Sequence, residues 1–209
     1  VVTTDKVYLN REWDLAYRES DALGGYDPYS ASKAAAEIVV SSYQQSFFST
    51  DRFQDHGVSV ASARAGNVIG GGDWAMDRLL PDCVRALAAS EPIVVRNRQS
   101  TRPWQHVLEP LLGYLLLGAS RDSPGVRYAR PYNFGPPSER PVDVETVVET
   151  AIEAWGGGAW DDQSDPHAVH EAGKLRLAVD RAMADLPWLP RWGAKEAIRR
   201  TVRWYRDHQ

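Results

Sequence analysis

The amino-acid sequence predicts an α/β fold with a parallel β-sheet, on the strength of three observations. Short β-branched runs alternate with longer segments of helical character, which is the order typical of a parallel sheet. The longest helical segment carries a local start signal, Asp27 followed by Pro28. The 209 residues are 43% apolar and 25% charged, which is ordinary for a globular protein and sufficient for one sizeable core.

The first part of the chain is predicted to place a long helix between two strands. The run at 1–8 is apolar at both ends and is expected to be a buried strand, whereas Val58 and Val60 alternate with smaller residues. Alanines and the Asp27 cap favour the helix. The predicted elements are a strand at 1–8, a loop at 9–26, a helix at 26–48, a strand at 57–64 and a glycine-rich loop at 66–74.

The second part of the chain continues the alternation. The segment 107–120 is almost entirely apolar, so it is predicted to be a buried helix. Asp143 favours the start of an amphipathic helix through the helix dipole. The predicted elements are a helix at 78–89 that begins or kinks near Pro81, strands at 91–97 and 126–135, helices at 107–120, 143–155 and 193–209, and a surface loop at 156–166.

Charge, hydropathy and cysteine content exclude several classes of protein. The net charge of -4 and the pI of about 5.7 argue against binding to nucleic acid or to an anionic membrane. No apolar run approaches the roughly 18 residues of a membrane span. Cys83 is the single cysteine, which excludes an intramolecular disulfide and fits a reducing, cytoplasmic location. His167 and His170 lack a third ligand nearby, so no metal site is expected.

Two short stretches carry reactive side chains. "TTDK" places a hydroxyl, a carboxylate and an amine side by side at the end of the first predicted strand, and "YSASK" places a phenol and an amine on one helix face. An ammonium beside a phenol favours the phenolate, which can accept a proton from a sugar hydroxyl. Ligands of open α/β sheets bind at the carboxyl ends of strands. The residues expected to converge there are Thr4, Asp5, Lys6, Tyr29, Lys33, Asn67 and the glycines at 70–72.

The order of the motifs T-D-K, Y-x-x-x-K, R-x-G-N-V-x-G and "RPWQHVLEPL" resembles the extended short-chain dehydrogenase/reductase family, in its nucleotide-sugar branch. Within that branch, "GGYDPYSASKAAAE" and "ARAGNVIGGGDWAMDRLLPD" closely resemble the dehydratases that act on CDP-glucose. The resemblance covers essentially the whole chain. It implies NAD as cofactor, CDP-glucose as substrate and a homodimer formed through the helix of Tyr29. Relatives acting on dTDP-glucose or GDP-mannose have Glu at the position of Lys6.

The same resemblance implies a truncated Rossmann-type doubly wound parallel sheet and a smaller α/β C-terminal lobe that binds substrate. Such enzymes begin with a G-x-x-G-x-x-G turn that holds the NAD pyrophosphate, and the sequence contains no such turn. The chain is therefore expected to be the C-terminal part of an enzyme and to be inactive alone. Residues 1–70 are expected to be the remainder of the NAD-binding domain, with the catalytic residues. Residues 71–209 are expected to form mainly the sugar-nucleotide lobe, with one crossover strand returning to the Rossmann sheet.

Catalytic roles also follow from the resemblance. Family dehydratases oxidise C4 of the sugar, eliminate water across C5 and C6, and reduce C6. Tyr29 is expected to take the C4 hydroxyl proton, Lys33 to favour the phenolate and bind the nicotinamide ribose, and Thr4 to hydrogen-bond the C4 oxygen. Asp5 is expected to be the acid at C6 and Lys6 the base at C5. A charged Lys6 that stabilises the enolate, and a Lys6 that only pairs with Asp5, remain alternatives.

Further contacts are carried over by resemblance. Arg64 is expected near the nicotinamide edge, and guanidinium groups suit the diphosphate of the substrate. Relatives supply deoxysugars for bacterial surface polysaccharides such as O-antigen. The alternative functions are an NAD-dependent nucleotide-sugar epimerase, which needs no acid and base at positions 5 and 6, and a dehydratase of dTDP-glucose or GDP-mannose. The expected substrate contacts are Asn67, Arg78, Arg96, Arg102 and Asn133.

Overall fold

The computed structural model of the chain describes residues 1–119, 125–136, 142–164 and 174–208. The α-helices of these residues are α1 (Pro28–Ser46), α2 (Phe53–His56), α3 (Leu79–Ala88), α4 (Leu108–Ala119), α5 (Val144–Trp155), α6 (Asp180–Asp185) and α7 (Ala194–Asp207). The strands are β1 (Ser62–Ala65), β2 (Val68–Ile69), β3 (Ile93–Val95), β4 (Thr101–Arg102), β5 (Gln105–His106), β6 (Pro131–Phe134), β7 (Val142–Asp143) and β8 (Trp160–Asp162). Short 3₁₀ helices lie at Asp5–Val7, Thr50–Arg52 and Gly125–Tyr128.

The chain divides into two compact units, each assembled from three separate stretches. Unit 1 comprises Val1–Gly66, Leu108–Gly135 and Leu175–Leu189. Unit 2 comprises Asn67–Val107, Pro136–Lys174 and Pro190–Gln209. This division follows contacts between residues. The assignment of 1–70 to cofactor and mainly 71–209 to substrate concerns function, and it stays a prediction.

Unit 1 is organised around β1. This strand pairs in parallel with β6, in the register Ser62↔Pro131 to Ala65↔Phe134, and a single parallel bridge joins Ala63 to Val2. The buried strand predicted at 1–8 is therefore wrong in extent, because the chain turns into the 3₁₀ helix at Asp5–Val7. Val1 and Val2 are exposed.

The position of β1 corrects the strand predicted at 57–64. The alternating valines that suggested it lie before the strand, and Val58 is exposed. All four residues of β1 are buried, although Ser62 and Arg64 are polar. Their side chains are stabilised inside the unit by Glu37 of α1, through hydrogen bonds from both and an ion pair with Arg64. A local hydrophobic pattern cannot show this, because the partner lies 25 or more residues away.

Two helices of unit 1 illustrate a correct and a partly wrong prediction. Helix α1 begins at Pro28 behind the Asp27 cap, as predicted. Helix α4 also forms where predicted, but it is not buried all round. Gly113 lies directly against the ring of Phe134 in β6, whereas the opposite face exposes Leu111 and Leu115. An almost entirely apolar sequence gives no amphipathic signal that distinguishes these faces.

In its described residues, unit 2 combines three short strand pairs with three helices. Strands β2 and β5 pair in parallel, as do β3 and β8, whereas β4 and β7 are antiparallel. Helices α3, α5 and α7 form where predicted and supply most of the core. Asp143 caps α5 by accepting a hydrogen bond from the Thr146 N–H at 2.8 Å. Strand β8 lies inside the segment 156–166 that was predicted as a loop, so that prediction is partly wrong.

Candidate active site

The 3₁₀ helix at Asp5–Val7 carries the predicted acid and base. The Thr4 hydroxyl caps this turn, since it accepts a hydrogen bond from the Lys6 N–H at 3.4 Å and donates one to Oδ1 of Asp5 at 3.0 Å. Thr4 and Asp5 are buried, and Lys6 is exposed. The Asp5 carboxylate lies against the backbone of Gly66, where an added Cβ atom would stand 1.8 Å from Oδ2. The position of Asp5 therefore requires glycine at residue 66.

The first turns of α1 carry the predicted phenol and amine. The Asp27 carboxylate accepts hydrogen bonds from the backbone and the hydroxyl of Ser30, and these bonds hold the pKa of Asp27 below its usual value. Tyr29 is half exposed, at 52%. The Lys33 ammonium lies 5.9 Å from the centroid of the Tyr29 ring. The two side chains therefore share one helix face, as their four-residue spacing predicts.

The loop between these two segments runs close to both. The Gly24 N–H donates to the Val7 carbonyl at 2.9 Å, beside the 3₁₀ turn. Gly25 lies against the first turn of α1, where an added Cβ atom would stand 2.1 Å from the backbone nitrogen of Ala31. The structure thus places the Thr4–Lys6 segment and the start of α1 in one packed region of unit 1.

A buried polar cluster joins α1 to β1 in the same region. The Glu37 carboxylate accepts hydrogen bonds from Thr3, from the Ser62 hydroxyl (2.7 Å) and from Nη2 of Arg64 (2.8 Å). Burial alone would raise the pKa of Glu37, but the hydrogen bonds and charge of Arg64 hold it below its usual value. Arg64 also donates to the Tyr8 hydroxyl at 3.0 Å, and burial raises the pKa of that tyrosine to about 12.

Sequence reasoning missed Glu37, although a signal was present. Glu37 is the single acidic residue of α1 and follows Lys33 by four residues and Tyr29 by eight. This spacing places the three side chains on one face of the helix. This carboxylate is alone in an alanine-rich helix segment and in register with two reactive side chains. That pattern was enough to identify Glu37 as a candidate site residue.

Two predicted ligand contacts have structural partners inside unit 1. Arg64 is 3% exposed and forms the ion pair with Glu37, so its burial does not support the predicted contact with the cofactor. Asn133 is fully buried, and its amide donates to the carbonyls of Tyr17 (3.0 Å) and Ala178 (3.1 Å). Its Oδ1 accepts from the Tyr8 hydroxyl at 2.6 Å. Because both amide hydrogens of Asn133 are used, this arrangement does not support a substrate contact.

Residues 67–74 of the glycine-rich loop lie in unit 2, where α7 packs against them. An added Cβ atom on Gly71 would stand 1.9 Å from the Trp204 ring, so the aromatic ring packs directly on the backbone. The Tyr205 hydroxyl donates to the Asp73 carbonyl at 2.5 Å. Asn67, at the start of the loop, is half-buried and adopts the left-handed conformation, with φ 42°, that asparagine tolerates better than most residues.

The three predicted phosphate-binding arginines all belong to unit 2. Arg78 and Arg96 are mostly exposed, and each forms an ion pair with an aspartate. Ion pairs this exposed add little to the stability of the fold. These guanidinium groups are thus accessible to an anion, whereas Arg102 is half-buried. The contacts are Arg78 with Asp73 (2.8 Å), Arg96 with Asp77 (3.3 Å), and Arg102 with the Ser100 hydroxyl (2.6 Å) and the Thr101 carbonyl (2.8 Å).

The described ranges contain neither a candidate metal site nor a helix that could span a membrane. Within 1–119, 125–136, 142–164 and 174–208, no cluster of three histidine, cysteine, aspartate or glutamate side chains could hold a metal ion. His167 and His170 lie outside these ranges. None of the helices in the described part of the chain is long and apolar enough to cross a membrane.

Comparison with known proteins identifies one matching family and two similar enzymes. The profile of the NAD dependent epimerase/dehydratase family matches residues 4–129. CDP-glucose 4,6-dehydratase of Salmonella typhimurium is 46% identical over 208 residues, which are 98% of this chain and 57% of that protein. dTDP-glucose 4,6-dehydratase of Streptomyces antibioticus is 29% identical over 211 residues and is likewise covered over 57% of its length. The chain thus spans little more than half the length of these relatives.

Solved structures confirm the predicted fold class. dTDP-glucose 4,6-dehydratase of Bacillus anthracis, in complex with NAD, superposes with a TM-score of 0.76 at 21% identity, over 99% of this chain and 60% of that one. UDP-glucuronic acid 4-epimerase of Bacillus cereus, in complex with UDP-glucuronic acid and NAD, gives 0.80 at 13% identity, over 100% and 61%. At these identities the likeness establishes the fold.

Proposed function

We propose that the protein is a nucleotide-sugar 4,6-dehydratase that converts CDP-glucose to CDP-4-keto-6-deoxyglucose and water. The proposal starts from the family to which this chain belongs, the NAD dependent epimerase/dehydratase family. The observation that carries this proposal is the 46% identity with a CDP-glucose 4,6-dehydratase over 98% of the chain. The identity with the Streptomyces antibioticus dTDP-glucose enzyme is only 29%, which favours CDP-glucose over dTDP-glucose.

Tyr29 and Lys33 fit the ribose of a nicotinamide cofactor. Tyr29 is half exposed and Lys33 is only partly buried, so a phenol hydroxyl and an ammonium on one helix face are accessible to ribose hydroxyls. NAD, when bound, would supply the hydride acceptor for C4 and the hydride donor for C6. The glycines at 70–72 are not assigned to the pyrophosphate, because they follow β2 and Gly71 packs against Trp204.

The side chains of unit 1 provide the proton transfers. Tyr29 takes the proton of the C4 hydroxyl as the C4 hydride leaves, and the Lys33 ammonium favours the phenolate that makes this possible. The C4 ketone acidifies the C5 hydrogen. Asp5 gives a proton to the departing C6 hydroxyl. Thr4 donates its hydroxyl proton to Asp5 at 3.0 Å and so orients it, and the hydrogen bond predicted from Thr4 to the C4 oxygen stays a prediction. Lys6 acts on C5, either by removing its proton or by stabilising the enolate with its charge.

The reaction is tested with the full-length protein in deuterated water. CDP-glucose, dTDP-glucose and GDP-mannose are incubated separately with NAD, and the products are followed by mass spectrometry and NMR. Loss of water with deuterium at C5 from CDP-glucose alone is the expected result. A C4 epimer without loss of water would favour the epimerase and reject Asp5 and Lys6 as an elimination pair. Turnover of dTDP-glucose or GDP-mannose instead would reassign the substrate.

The role of Lys6 is tested by two substitutions with opposite expectations. If Lys6 is the C5 base, Lys6→Glu supplies another base and retains more C5 deuterium exchange than Lys6→Gln. If Lys6 stabilises the enolate by its charge, a carboxylate repels the enolate, and Lys6→Glu is the slower variant. A third outcome, near-normal exchange in both variants, would indicate a lysine with only a structural role.

A homodimer through α1 forms part of the proposal. The helix exposes Ile38, Val39 and Tyr43, and Phe47 at its C-cap is also exposed. A second copy of the helix would cover this apolar set. Val39→Lys should convert the dimer to a monomer in size-exclusion chromatography with light scattering, whereas Val94→Lys, at an exposed position of β3, should not. A cytoplasmic location and a contribution to O-antigen deoxysugars complete the proposal.

A further inference from the structure

The buried polar cluster of unit 1 connects the two segments that carry the proposed proton-transfer groups. We call it the Glu37 cluster. Its ion pair, between Nη2 of Arg64 and Oε2 of Glu37 at 2.8 Å, leaves 4% and 3% of the two side chains exposed. The mechanism proposed above assigns it no role. The members of the cluster are Thr3, Tyr8, Glu37, Ser62 and Arg64.

The cluster holds the Thr4–Lys6 segment from both of its ends. Thr3, directly before the segment, donates a hydrogen bond to Oε1 of Glu37. Tyr8, which follows shortly after it, accepts a hydrogen bond from Arg64 at 3.0 Å, and the Arg64 guanidinium lies 5.2 Å from the Tyr8 ring centroid. Both anchors therefore depend on one buried ion pair.

The cluster also fixes the helix that carries Tyr29 and Lys33. Four residues of an α-helix rise about 6 Å, so Glu37 lies roughly one turn beyond Lys33 and two beyond Tyr29 on the same face. The carboxylate binds Ser62 and Arg64 of β1 in addition to Thr3. A displacement of Glu37 would shift or rotate the helix face that presents the phenol and the amine.

We infer that Glu37 is a positioning residue, which sets the distance from Tyr29 and Lys33 to Asp5 and Lys6. This inference rests on the proposed dehydratase function. In the proposed reaction, Glu37 contacts neither the substrate nor the cofactor. Its carboxylate is the point at which the helix, the central strand and the acid/base segment meet, so its charge and its two oxygens together define the relative positions of the reacting groups.

Kinetics of Glu37→Gln in the full-length protein test the inference. The variant keeps the size of the side chain but leaves the Arg64 charge buried without a counter-charge. We expect kcat to fall on the order of 100-fold, because displacements of about 1 Å have that effect on positioned groups. KM should stay within about threefold, since the predicted phosphate contacts lie in unit 2. Glu153→Gln, the same change at the exposed Arg199 ion pair, is the matched control and should leave both constants unchanged.

Two further variants separate positioning from folding. Thr3→Val removes one hydrogen bond and keeps the ion pair, so it should fold even if Glu37→Gln does not, and it should lower kcat in the same direction by a smaller factor. Glu37→Gln combined with Arg64→Met removes the unpaired charge. A structural role predicts that this double variant regains both stability and kcat, whereas positioning predicts recovered stability with kcat still low.

Hydrogen–deuterium exchange on the full-length protein gives a readout that needs no activity. Glu37→Gln should speed exchange at residues 3–8 and in the first turns of α1, and Glu153→Gln should not. Unchanged exchange at residues 3–8, or a folded Glu37→Gln enzyme with normal kcat, overturns the inference. A wild-type protein without dehydratase activity would reject the proposed function alone, and the exchange data would still decide whether Glu37 holds the segment.

Discussion

The structure allows the destabilising effect of Gly66→Ala to be worked out directly from one steric clash. Gly66 has no left-handed φ, so alanine meets no backbone strain there. Its Cβ atom, however, would stand 1.8 Å from Oδ2 and 2.0 Å from Cγ of Asp5, and ordinary contact begins at 3.4 Å. The Asp5 carboxyl must therefore withdraw by about 1.6 Å, or β1 must shift by a similar amount. Such overpacking costs about 1–3 kcal/mol of unfolding free energy.

Activity should respond more strongly than stability to this change. A displaced Asp5 can no longer give its proton in line with the C6 hydroxyl, so we expect kcat for water loss to fall on the order of 100-fold. The assay is formation of the 4-keto product from CDP-glucose by the full-length protein, alongside thermal unfolding. Gly118→Ala is the control, because nothing lies within 4 Å of its added Cβ atom. A Gly66→Ala enzyme with kcat within about twofold of wild type would refute the role given to Asp5.

Three further predictions concern stability and reactivity. The pKa of Glu37 is held below the usual 4.5, so the contribution of its carboxylate to stability is present above about pH 4.5 and is lost as the pH falls through the lower folded-state value. In urea unfolding, the stabilities of wild type and Glu37→Gln should therefore differ most above pH 4.5 and converge in acid. Burial raises the pKa of Cys83 to about 12, so a chromogenic disulfide reagent at pH 8 should label this thiol only after unfolding, and rapid labelling of the native protein would contradict its burial. Tyr205→Phe removes the hydrogen bond to the Asp73 carbonyl and should cost about 1 kcal/mol in urea unfolding, whereas an unchanged midpoint would show that the glycine-rich loop does not depend on that hydroxyl.

Local signals explain which parts of the fold could be predicted. Asp27 and Asp143 cap their helices through hydrogen bonds to residues three positions away, so the sequence contains the whole cause of both helix starts. The exposed leucines of α4 show the limit of such reasoning. Phe134 in β6 determines which face of that helix is covered. The helix sequence itself does not indicate that Gly113 is the point of contact.

The candidate site shows the same division between local and distant causes. Tyr29 and Lys33 share a helix face because of their spacing alone. Arg64 was assigned to the cofactor because its motif resembles that of the family, yet its side chain is buried against a carboxylate 27 residues earlier. The resemblance likewise predicts a substrate contact for Asn133, whose amide donates to the distant carbonyl groups of Tyr17 and Ala178. A motif identifies a conspicuous residue, whereas its partner follows only from the fold.

The interleaving of the two units constrains how the chain can be made. The core of unit 1 includes Trp188, whose indole donates to the Glu109 carbonyl at 2.9 Å, so helix α4 remains incomplete in its packing until the stretch 175–189 has been synthesised. At roughly 5–20 residues per second, that stretch leaves the ribosome on the order of ten seconds after residue 66. During this interval β1 and α1 exist without their closing segment. A break in the chain between residues 66 and 175 would therefore separate β1 and α1 from the segment that completes their core.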